Sequence, residues 1–347
     1  MAHFSPLSDQ QSRFFINTTQ IQSDWLEAQQ DMQRFRGGMT WRNKGERSYL
    51  VKIVDRAGKQ ISLGPKSPGT EAVFQSFIAG KARASERYGT LRKTLDEQAR
   101  LNRTLRVGNM PVPTANILRA MAASGILGSN IAVIGTNAIY AYEAMAGVRM
   151  IDSLMETGDI DFLWDSRSRL SVSVWDEEPP KIIDILQSVD STFQPRRNGY
   201  SAVSDTGFVV DLIKAEKKVP WTDDSLSLSE GDLVASPIRA LTWLVTSPKV
   251  ETVAVDERGY PVPIVAPDPR CFAIYKHWLA TECRDRDPVK RSRDLAQSRG
   301  IAALVQQRLP HMPFNARQMR MFPLAIVKAM EVDSGEDTNV FLPGPGR

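Results

Sequence analysis

The sequence predicts an α/β (α+β) fold in which a mixed sheet is flanked by helices. Between about residues 112 and 220, apolar runs of strand length alternate with segments of helix length. The region before them combines a helical period with a strand-like alternation, and the pattern after residue 232 is mainly helical. We therefore expect four regions: an N-terminal helical and β-hairpin region (residues 1–110), a central core (111–230), a mainly helical C-terminal region (231–332) and a poorly ordered tail (333–347).

The N-terminal region is expected to contain a helix followed by a hairpin. Residues 20–36 place apolar side chains near one helical face, and Gly37-Gly38 ends this pattern. Residues 49–53 and 61–63 alternate between apolar and polar side chains on either side of the turn-forming sequence DRAGK, which predicts a β-hairpin. The polar positions of this hairpin are basic, which fits either contact with nucleic-acid phosphates or a solvated surface.

Helices and strands then alternate along the chain. Residues 69–106 predict a long polar helix that kinks or divides near Tyr88-Gly89, and the next helix begins with Thr114 as its N-cap. The strands that follow are predicted at 131–135, 159–165, 200–204 and 208–216, with a hairpin over 251–265. The helical segments are predicted at 137–146, 179–190, 236–246, 267–283 and 287–309.

Composition restricts the class of protein. Hydrophobic residues make up 42% of the 347 residues and charged residues 24%, which is typical of globular proteins with a substantial core. The first residues lack the basic segment and apolar run of a secretory signal, and no stretch approaches the roughly 20 apolar residues that span a bilayer. We therefore expect a cytoplasmic protein without a membrane partner. The net charge of +4 permits an anionic partner without requiring one.

The cysteines and histidines predict neither a metal site nor a nucleophile. Cys271 and Cys283 are twelve residues apart within one helical segment, unlike a disulfide framework or a zinc site. His3, His277 and His311 have no partner at metal-ligand or triad spacing, and the chain contains no G-x-S-x-G elbow or Walker A run. The chemistry must therefore be sought among other residues.

A glycine-containing turn links the first central strand to its helix. The strand ends at Gly135, and Thr136 and Asn137 open the following helix. A small residue at such a turn lets a phosphate approach the backbone N–H groups at the positive end of the helix. The same pattern also fits an ordinary N-capped helix after a strand.

Aspartates occupy two of the predicted strands. Asp159 and Asp161 point to the same face, because side chains alternate along a strand. Two carboxylates held this close favour a shared proton or a bound cation such as magnesium, whereas a strand edge would leave both solvated. Asp211 lies in an otherwise apolar strand, where a charge is costly unless it binds a metal or pairs with Lys214 or an arginine.

The order of turn, helix, paired acids and a later single acid resembles the nucleotidyltransferase superfamily typified by DNA polymerase β. The resemblance implies a nucleotidyltransferase fold and transfer of a nucleoside monophosphate from an NTP such as ATP to a hydroxyl of RNA, a protein or a small molecule. It implies that Gly135 and Thr136, with Asn137 in the same turn, hold the nucleotide phosphates. It also implies two Mg²⁺ (or Mn²⁺) ions, bound by Asp159, Asp161 and Asp211, with Asp211 helping to activate the attacking hydroxyl.

Two features depart from the superfamily pattern. Twenty-four residues separate Gly135 from Asp159, more than in the smallest members, and the second turn residue is Thr rather than Gly or Ser. The longer spacing resembles a largely uncharacterised bacterial branch that also carries a basic hairpin upstream. The matching hairpin residues are Trp41, Lys44, Tyr49-Leu50 and Ser62-Leu63-Gly64-Pro65. These departures leave the fold prediction standing but weaken any closer assignment.

The C-terminal helical region adds a second resemblance, to abortive-infection nucleotidyltransferase toxins. Lys276, Lys290 and Asp294 match the lysines that contact nucleotide phosphates in that group and the aspartate that supports its site. Lys290 and Asp294 are four residues apart and share a helix face, and this spacing in a charge-rich helix start also fits an ordinary surface ion pair.

Several partners and one alternative function remain open from the sequence. An NTP is the expected substrate and RNA or tRNA a candidate acceptor, while a toxin role would imply an antitoxin protein. The alternative is a catalytically inactive nucleotidyltransferase scaffold that binds nucleic acid or a protein partner, which the basic N-terminal hairpin would suit.

Overall fold

The chain folds into two units, and the larger is assembled from three stretches of sequence. It contains Met1–Asp9, Asn109–Glu257 and Val262–Arg347, while the smaller unit contains Gln10–Gly108 and Arg258–Pro261. The computed structural model describes residues 3–54, 59–155, 157–165, 181–216, 231–315 and 317–333. Within these ranges, no helix is both long enough and apolar enough to cross a bilayer.

The helices and strands have the following bounds. The strands are β1 (Phe4–Pro6), β2 (Gly38–Lys44), β3 (Arg47–Ile53), β4 (Gln60–Pro65), β5 (Ile131–Ile134), β6 (Val148–Met150), β7 (Asp159–Trp164), β8 (Gln194–Pro195), β9 (Ser201–Val203), β10 (Val209–Ala215), β11 (Ser236–Ile238), β12 (Lys249–Val255) and β13 (Pro261–Pro267). The α-helices are α1 (Asp9–Arg34), α2 (Pro68–Thr104), α3 (Val112–Ala123), α4 (Ile139–Ala146), α5 (Ile182–Val189), α6 (Thr242–Thr246), α7 (Pro269–Thr281), α8 (Pro288–Arg308) and α9 (Leu324–Asp333). Short 3₁₀ helices lie at Gly135–Ala138 and Asp152–Leu154.

The smaller unit combines the long helices α1 and α2 with an antiparallel sheet of order β2-β3-β4. The predicted hairpin is confirmed as β3 and β4, although its turn at residues 55–58 lies outside the described residues. β2 adds a strand that the sequence analysis did not predict. Helix α1 begins at Asp9, well before the predicted helix at 20–36. Its earlier turns are stabilised by packing on α2. Thr18 is buried there, and its hydroxyl accepts a hydrogen bond from Asn102 Nδ2 of α2 at 2.8 Å.

A kink or a division into two helices was predicted near Tyr88-Gly89, and the division is wrong because α2 is one helix from Pro68 to Thr104. It begins with a capping box, in which the Ser67 hydroxyl accepts from the Thr70 N–H at 3.2 Å. A single glycine inside a helix costs only about 1 kcal/mol. The Tyr88 ring packs on Trp25 of α1, with ring centroids 5.9 Å apart, and this contact supports the helix at the point where a break was expected.

The larger unit is built around a mixed sheet of order β5-β7-β10-β9-β8, and β11 pairs with the second half of β10. β5 is antiparallel to β7, whereas β7 and β10 are parallel. Every residue of β5 is buried, as its apolar sequence predicts. Helix α3 contacts α5 and helix α7 packs along α8. This mixed sheet flanked by helices confirms the predicted fold class.

Two helix starts in the core differ from the prediction. α3 begins at Val112, and Thr114 is a buried residue of its first turn rather than its N-cap, because Pro113 suits the first turn of a helix. The predicted helix at 137–146 begins as the 3₁₀ turn at Gly135–Ala138 and becomes α-helical only at Ile139.

The C-terminal half of the larger unit contains a further correction. The stretch 236–246 was predicted to be helical throughout, but its first part is β11 and only its end forms α6. Pairing of β11 with β10 explains the difference, since this contact is not local in sequence. The predicted hairpin over 251–265 is confirmed as β12 and β13. The expected tail beyond Asp333 lies outside the described residues.

Candidate functional site

Two neighbouring parallel strands bring the predicted aspartates together. β7 and β10 pair in a register that sets Asp161 directly beside Asp211. Because side chains alternate along a strand, Asp159, Asp161 and Asp211 project from the same face of the sheet. The intervening Ile160 and Phe162 are fully buried on the opposite face, whereas the three aspartates keep partial access to solvent. The three aspartates thus form one acidic face on the paired strands β7 and β10, as the alternation in the sequence predicts. We call this surface the acidic face.

Gly135 lies directly beside this acidic face. β5 runs antiparallel to β7 and pairs Ile134 with Asp161, so the next residue of the chain turns past the Asp161 side chain. Gly135 has a φ of 65°, in the left-handed region that favours glycine. A Cβ atom at this position would overlap Oδ2 of Asp161. Only glycine therefore allows the turn and the aspartate to occupy this arrangement.

The residues after Gly135 are buried and held by specific hydrogen bonds. Asn137 Nδ2 donates to the Asp159 carbonyl oxygen at 2.7 Å, which ties the turn to β7. Gln297 Nε2, from α8, donates to Thr136 Oγ1 at 3.1 Å and to the Leu154 carbonyl oxygen at 2.8 Å. Within the described part of the chain, the buried Asn137 Oδ1 and Gln297 Oε1 atoms have no hydrogen-bond partner. The turn is thus fixed by side-chain contacts, and its backbone N–H groups are the candidate phosphate ligands.

The carboxylates of Asp159 and Asp211 perturb the carboxyl group of Asp161. The pKa of Asp161 is raised to about 7, first because its carboxyl group is removed from water and then because Asp159 and Asp211 lie nearby. Lys276 and Arg286 act in the opposite direction and lower that pKa. A cluster of like charges in a poorly hydrated place is the setting in which a bound cation lowers the free energy most.

Two of the aspartates are oriented by neighbouring hydroxyl groups. Ser201 Oγ donates to Asp211 Oδ1 at 2.5 Å across the β9–β10 pair, and Thr157 Oγ1 donates to Asp159 Oδ1. Lys214, which the sequence analysis considered as a partner of Asp211, is buried with its ammonium 5.8 Å from the centre of the Trp164 ring. Ser201 was not among the predicted site residues, although the hairpin register of β9 and β10 could have indicated it.

An ion network of Lys276 on α7, Asp294 on α8 and Arg286 in the segment between them borders the acidic face. Lys276 Nζ donates to Asp294 Oδ1 at 2.6 Å, and Arg286 Nε donates to Asp294 Oδ2 at 2.7 Å. Burial lowers the pKa of Lys276, and the Asp294 carboxylate opposes this shift. Asp294 therefore pairs with Lys276 and Arg286, while the Lys290 side chain is exposed one turn earlier on α8. Neither Arg286 nor Gln297 was predicted from the sequence as a site residue.

The carboxylate oxygens of the three aspartates suit a divalent ion, although the side chains do not form a complete coordination site. Carboxylate oxygens are the hard ligands that Mg²⁺ prefers, and Asp159, Asp161 and Asp211 supply them from one face. In the part of the chain that the structure describes, no three His, Cys, Asp or Glu side chains converge closely enough to hold a metal ion. Asp159 and Asp211 instead accept hydrogen bonds from Thr157 and Ser201.

Comparison with known proteins agrees with this arrangement. A sequence profile described as nucleotidyltransferase matches residues 113–322, which is more than half of the chain and includes the turn, the three aspartates and the Lys276–Asp294 pair. Neither a curated protein nor a solved structure gives a significant match. The mixed sheet flanked by helices is consistent with a nucleotidyltransferase fold. The chain therefore belongs to the nucleotidyltransferase family.

Proposed function

We propose that this nucleotidyltransferase transfers a nucleoside monophosphate from an NTP to a hydroxyl acceptor, and that Asp159, Asp161 and Asp211 hold the divalent ions that the reaction uses. The observation that supports this most strongly is the register of Asp161 beside Asp211, together with the close approach of Gly135. In the proposed reaction the acceptor oxygen forms a bond to the α-phosphorus. The bond from that phosphorus to pyrophosphate breaks, and the hydroxyl proton passes to a base or to solvent.

Each of the proposed site residues has a defined role in the reaction. Asp211, held by Ser201, accepts the hydrogen bond of the acceptor hydroxyl and orients it for attack. Asp159 and Asp161 supply the carboxylate oxygens for the metal ions. When bound, two Mg²⁺ (or Mn²⁺) ions would lower the pKa of the acceptor hydroxyl and stabilise the negative charge on the pyrophosphate. The backbone N–H groups after Gly135 contact the triphosphate.

The lysines of the C-terminal helices are assigned to the phosphates of the NTP. Asp294 accepts a hydrogen bond from Lys276, and the Lys276 charge lowers the pKa of Asp161, which supports a role for this ammonium near the proposed site. Lys290 is exposed on α8 and would contact the triphosphate only as a mobile point charge. We therefore expect a larger loss of NTP affinity from Lys276→Met than from Lys290→Met.

Label transfer from an α-³²P-labelled NTP tests this proposal. The purified chain, Mg²⁺ and each of the four NTPs are incubated with total RNA, tRNA, protein or small hydroxyl compounds, which also identifies the acceptor. Asp211→Asn should abolish transfer. Asp205→Asn, which removes an exposed carboxylate from the same β9–β10 hairpin, should leave it unchanged. Absence of transfer to every acceptor, combined with absence of NTP binding, would refute the proposal.

A toxin role with an antitoxin partner has a separate test. Expression of the chain should arrest growth, and Asp159→Asn should relieve the arrest if nucleotidyl transfer causes it. Unimpaired growth on expression of an enzyme that transfers label in vitro would reject the toxin role and leave the proposed activity intact.

A further inference from the structure

Basic charge is concentrated in the smaller unit. Its residues, Gln10–Gly108 and Arg258–Pro261, include 19 Lys and Arg but only 9 Asp and Glu, a net charge of +10. The whole chain carries only +4, so the larger unit is acidic overall. A domain with this excess of positive charge attracts polyanions, and the effect is independent of the chemistry in the larger unit.

Part of this charge lies on one face of the β2–β3 hairpin. Lys44 pairs directly with Arg47, and Arg42 pairs directly with Tyr49. Partners in an antiparallel ladder share a face, as do residues two apart in one strand. The side chains of Arg42, Lys44, Arg47 and Tyr49 therefore form one surface, which we call the basic hairpin face. The three cationic residues are exposed, and Tyr49 is half-buried.

The opposite face of the same sheet is anchored to helix α2. Trp41 packs against Phe74 of α2, with ring centroids 5.8 Å apart. Its cross-strand partner Leu50 is fully buried. The basic hairpin face thus points away from the apolar anchor of the sheet and does not contribute to that packing.

The basic hairpin face also lacks internal charge compensation. Like charges placed directly opposite each other destabilise an antiparallel pair, yet Lys44 and Arg47 occupy such positions. Among the described residues, none of its three cations forms an ion pair, and Glu46 of the connecting turn is the only acidic residue of 38–53. Other cations of this unit do find partners, for example Lys66 with Glu71 at 3.2 Å. An external anion would relieve the repulsion.

We propose that the basic hairpin face binds the phosphodiester backbone of a nucleic-acid strand. Guanidinium groups match phosphate oxygens in a bidentate geometry, and the lysine ammonium adds a point charge. Tyr49 offers an aromatic surface on which a base can stack, a combination typical of proteins that bind single strands without sequence preference. The proposal rests on the smaller unit alone and would survive a failure of the proposed transfer activity.

Fluorescence anisotropy with the full chain tests this binding. Labelled single-stranded RNA, duplex RNA and duplex DNA are titrated at several salt concentrations. For single-stranded RNA, each phosphate contact contributes a slope of about −0.7 to log K against log salt. The triple variant Arg42→Ala/Lys44→Ala/Arg47→Ala should weaken binding at least about tenfold at moderate salt and reduce the magnitude of the slope by about 2.

A matched control removes the same amount of charge elsewhere. Arg317→Ala/Arg320→Ala/Lys328→Ala deletes three exposed cations from the larger unit and should leave both the affinity and the slope unchanged. Thermal melting confirms that both triple variants fold. The proposal is overturned if the wild-type chain binds none of the three polymers at low salt, if both triple variants lose affinity equally, or if polyglutamate competes as well as nucleic acid.

Discussion

Gly135 and Asp161 are so close that the aspartate carboxylate occupies the space a Cβ atom would need at residue 135. The relationship joins two elements that lie apart in sequence, the turn after β5 and the strand β7. In the proposed function, one provides the phosphate-binding backbone and the other a metal ligand. Steric exclusion at one glycine therefore couples the fold of the larger unit to the proposed chemistry.

Gly135→Ala should abolish nucleotidyl transfer and destabilise the fold, because the new methyl group displaces the Asp161 carboxylate. Gly147→Ala is the matched control. Gly147 also has a left-handed φ, of 62°, but nothing lies within 4 Å of its added Cβ. The control should lose about 1–2 kcal/mol from backbone strain alone and keep its activity. Equal losses of activity in the two variants would show that the Asp161 contact is unimportant.

Asp294→Ala should destabilise the larger unit by about 3–5 kcal/mol, because it leaves the buried Lys276 charge without its carboxylate partner. Chemical denaturation measures the effect. Lys290→Ala, at an exposed position on the same helix, should change the free energy of unfolding by less than about 0.5 kcal/mol. Comparable values for the two variants would contradict the assignment of the Asp294 pairing.

Gln297 should position Thr136 rather than take part in chemistry. Gln297→Ala removes the hydrogen bond to Thr136 Oγ1, so KM for the NTP should rise while kcat changes little. A double-mutant cycle with Thr136→Val should give a coupling energy of about 1 kcal/mol in NTP binding. Strictly additive effects would indicate that the hydrogen bond does not hold the turn.

Glu143 predicts how stability depends on pH. Burial raises the pKa of this carboxyl group from 4.5 to about 7, although its Oε1 accepts a hydrogen bond from the Met150 N–H at 2.6 Å. The folded state therefore binds its proton more tightly than the unfolded state. The associated stability, on the order of 3 kcal/mol, is present below pH 4.5 and is lost as the pH rises through about 7.

The variant Glu143→Gln isolates this effect, because glutamine resembles the protonated acid and keeps the acceptor oxygen. Denaturation curves between pH 4.5 and 7 should show a smaller decline in the free energy of unfolding than the wild-type chain shows. Asp161, whose pKa is also raised to about 7, accounts for part of the decline that remains. An unchanged pH profile would place the Glu143 carboxyl group in a more hydrated environment.

Local patterns in the sequence predicted the parts of the site that depend on neighbouring residues. Strand alternation placed Asp159 and Asp161 on one face, and the apolar run before Gly135 predicted β5 and its turn. The capping signal at Ser67 could likewise be read from the sequence, but the continuity of α2 past Gly89 depends on packing against α1, which the pattern of one helix does not encode.

Contacts between distant residues could not be predicted in the same way. Helical spacing allowed Asp294 to pair with Lys290, yet its partners are Lys276 on α7 and Arg286 in the segment between α7 and α8. Gln297 contacts Thr136 across 161 positions of sequence. The pairing of Asp161 with Asp211 likewise depends on a parallel register between strands separated by α5.

A comparison of two labels on the same NTP tests the central claim most directly. With Mg²⁺ present, an α-³²P label should appear on the acceptor and a γ-³²P label should appear only in pyrophosphate. Both signals should vanish in Asp161→Asn and persist in Asp205→Asn. Transfer of the γ label to the acceptor, or undiminished transfer of the α label by Asp161→Asn, would contradict nucleotidyl transfer at these aspartates.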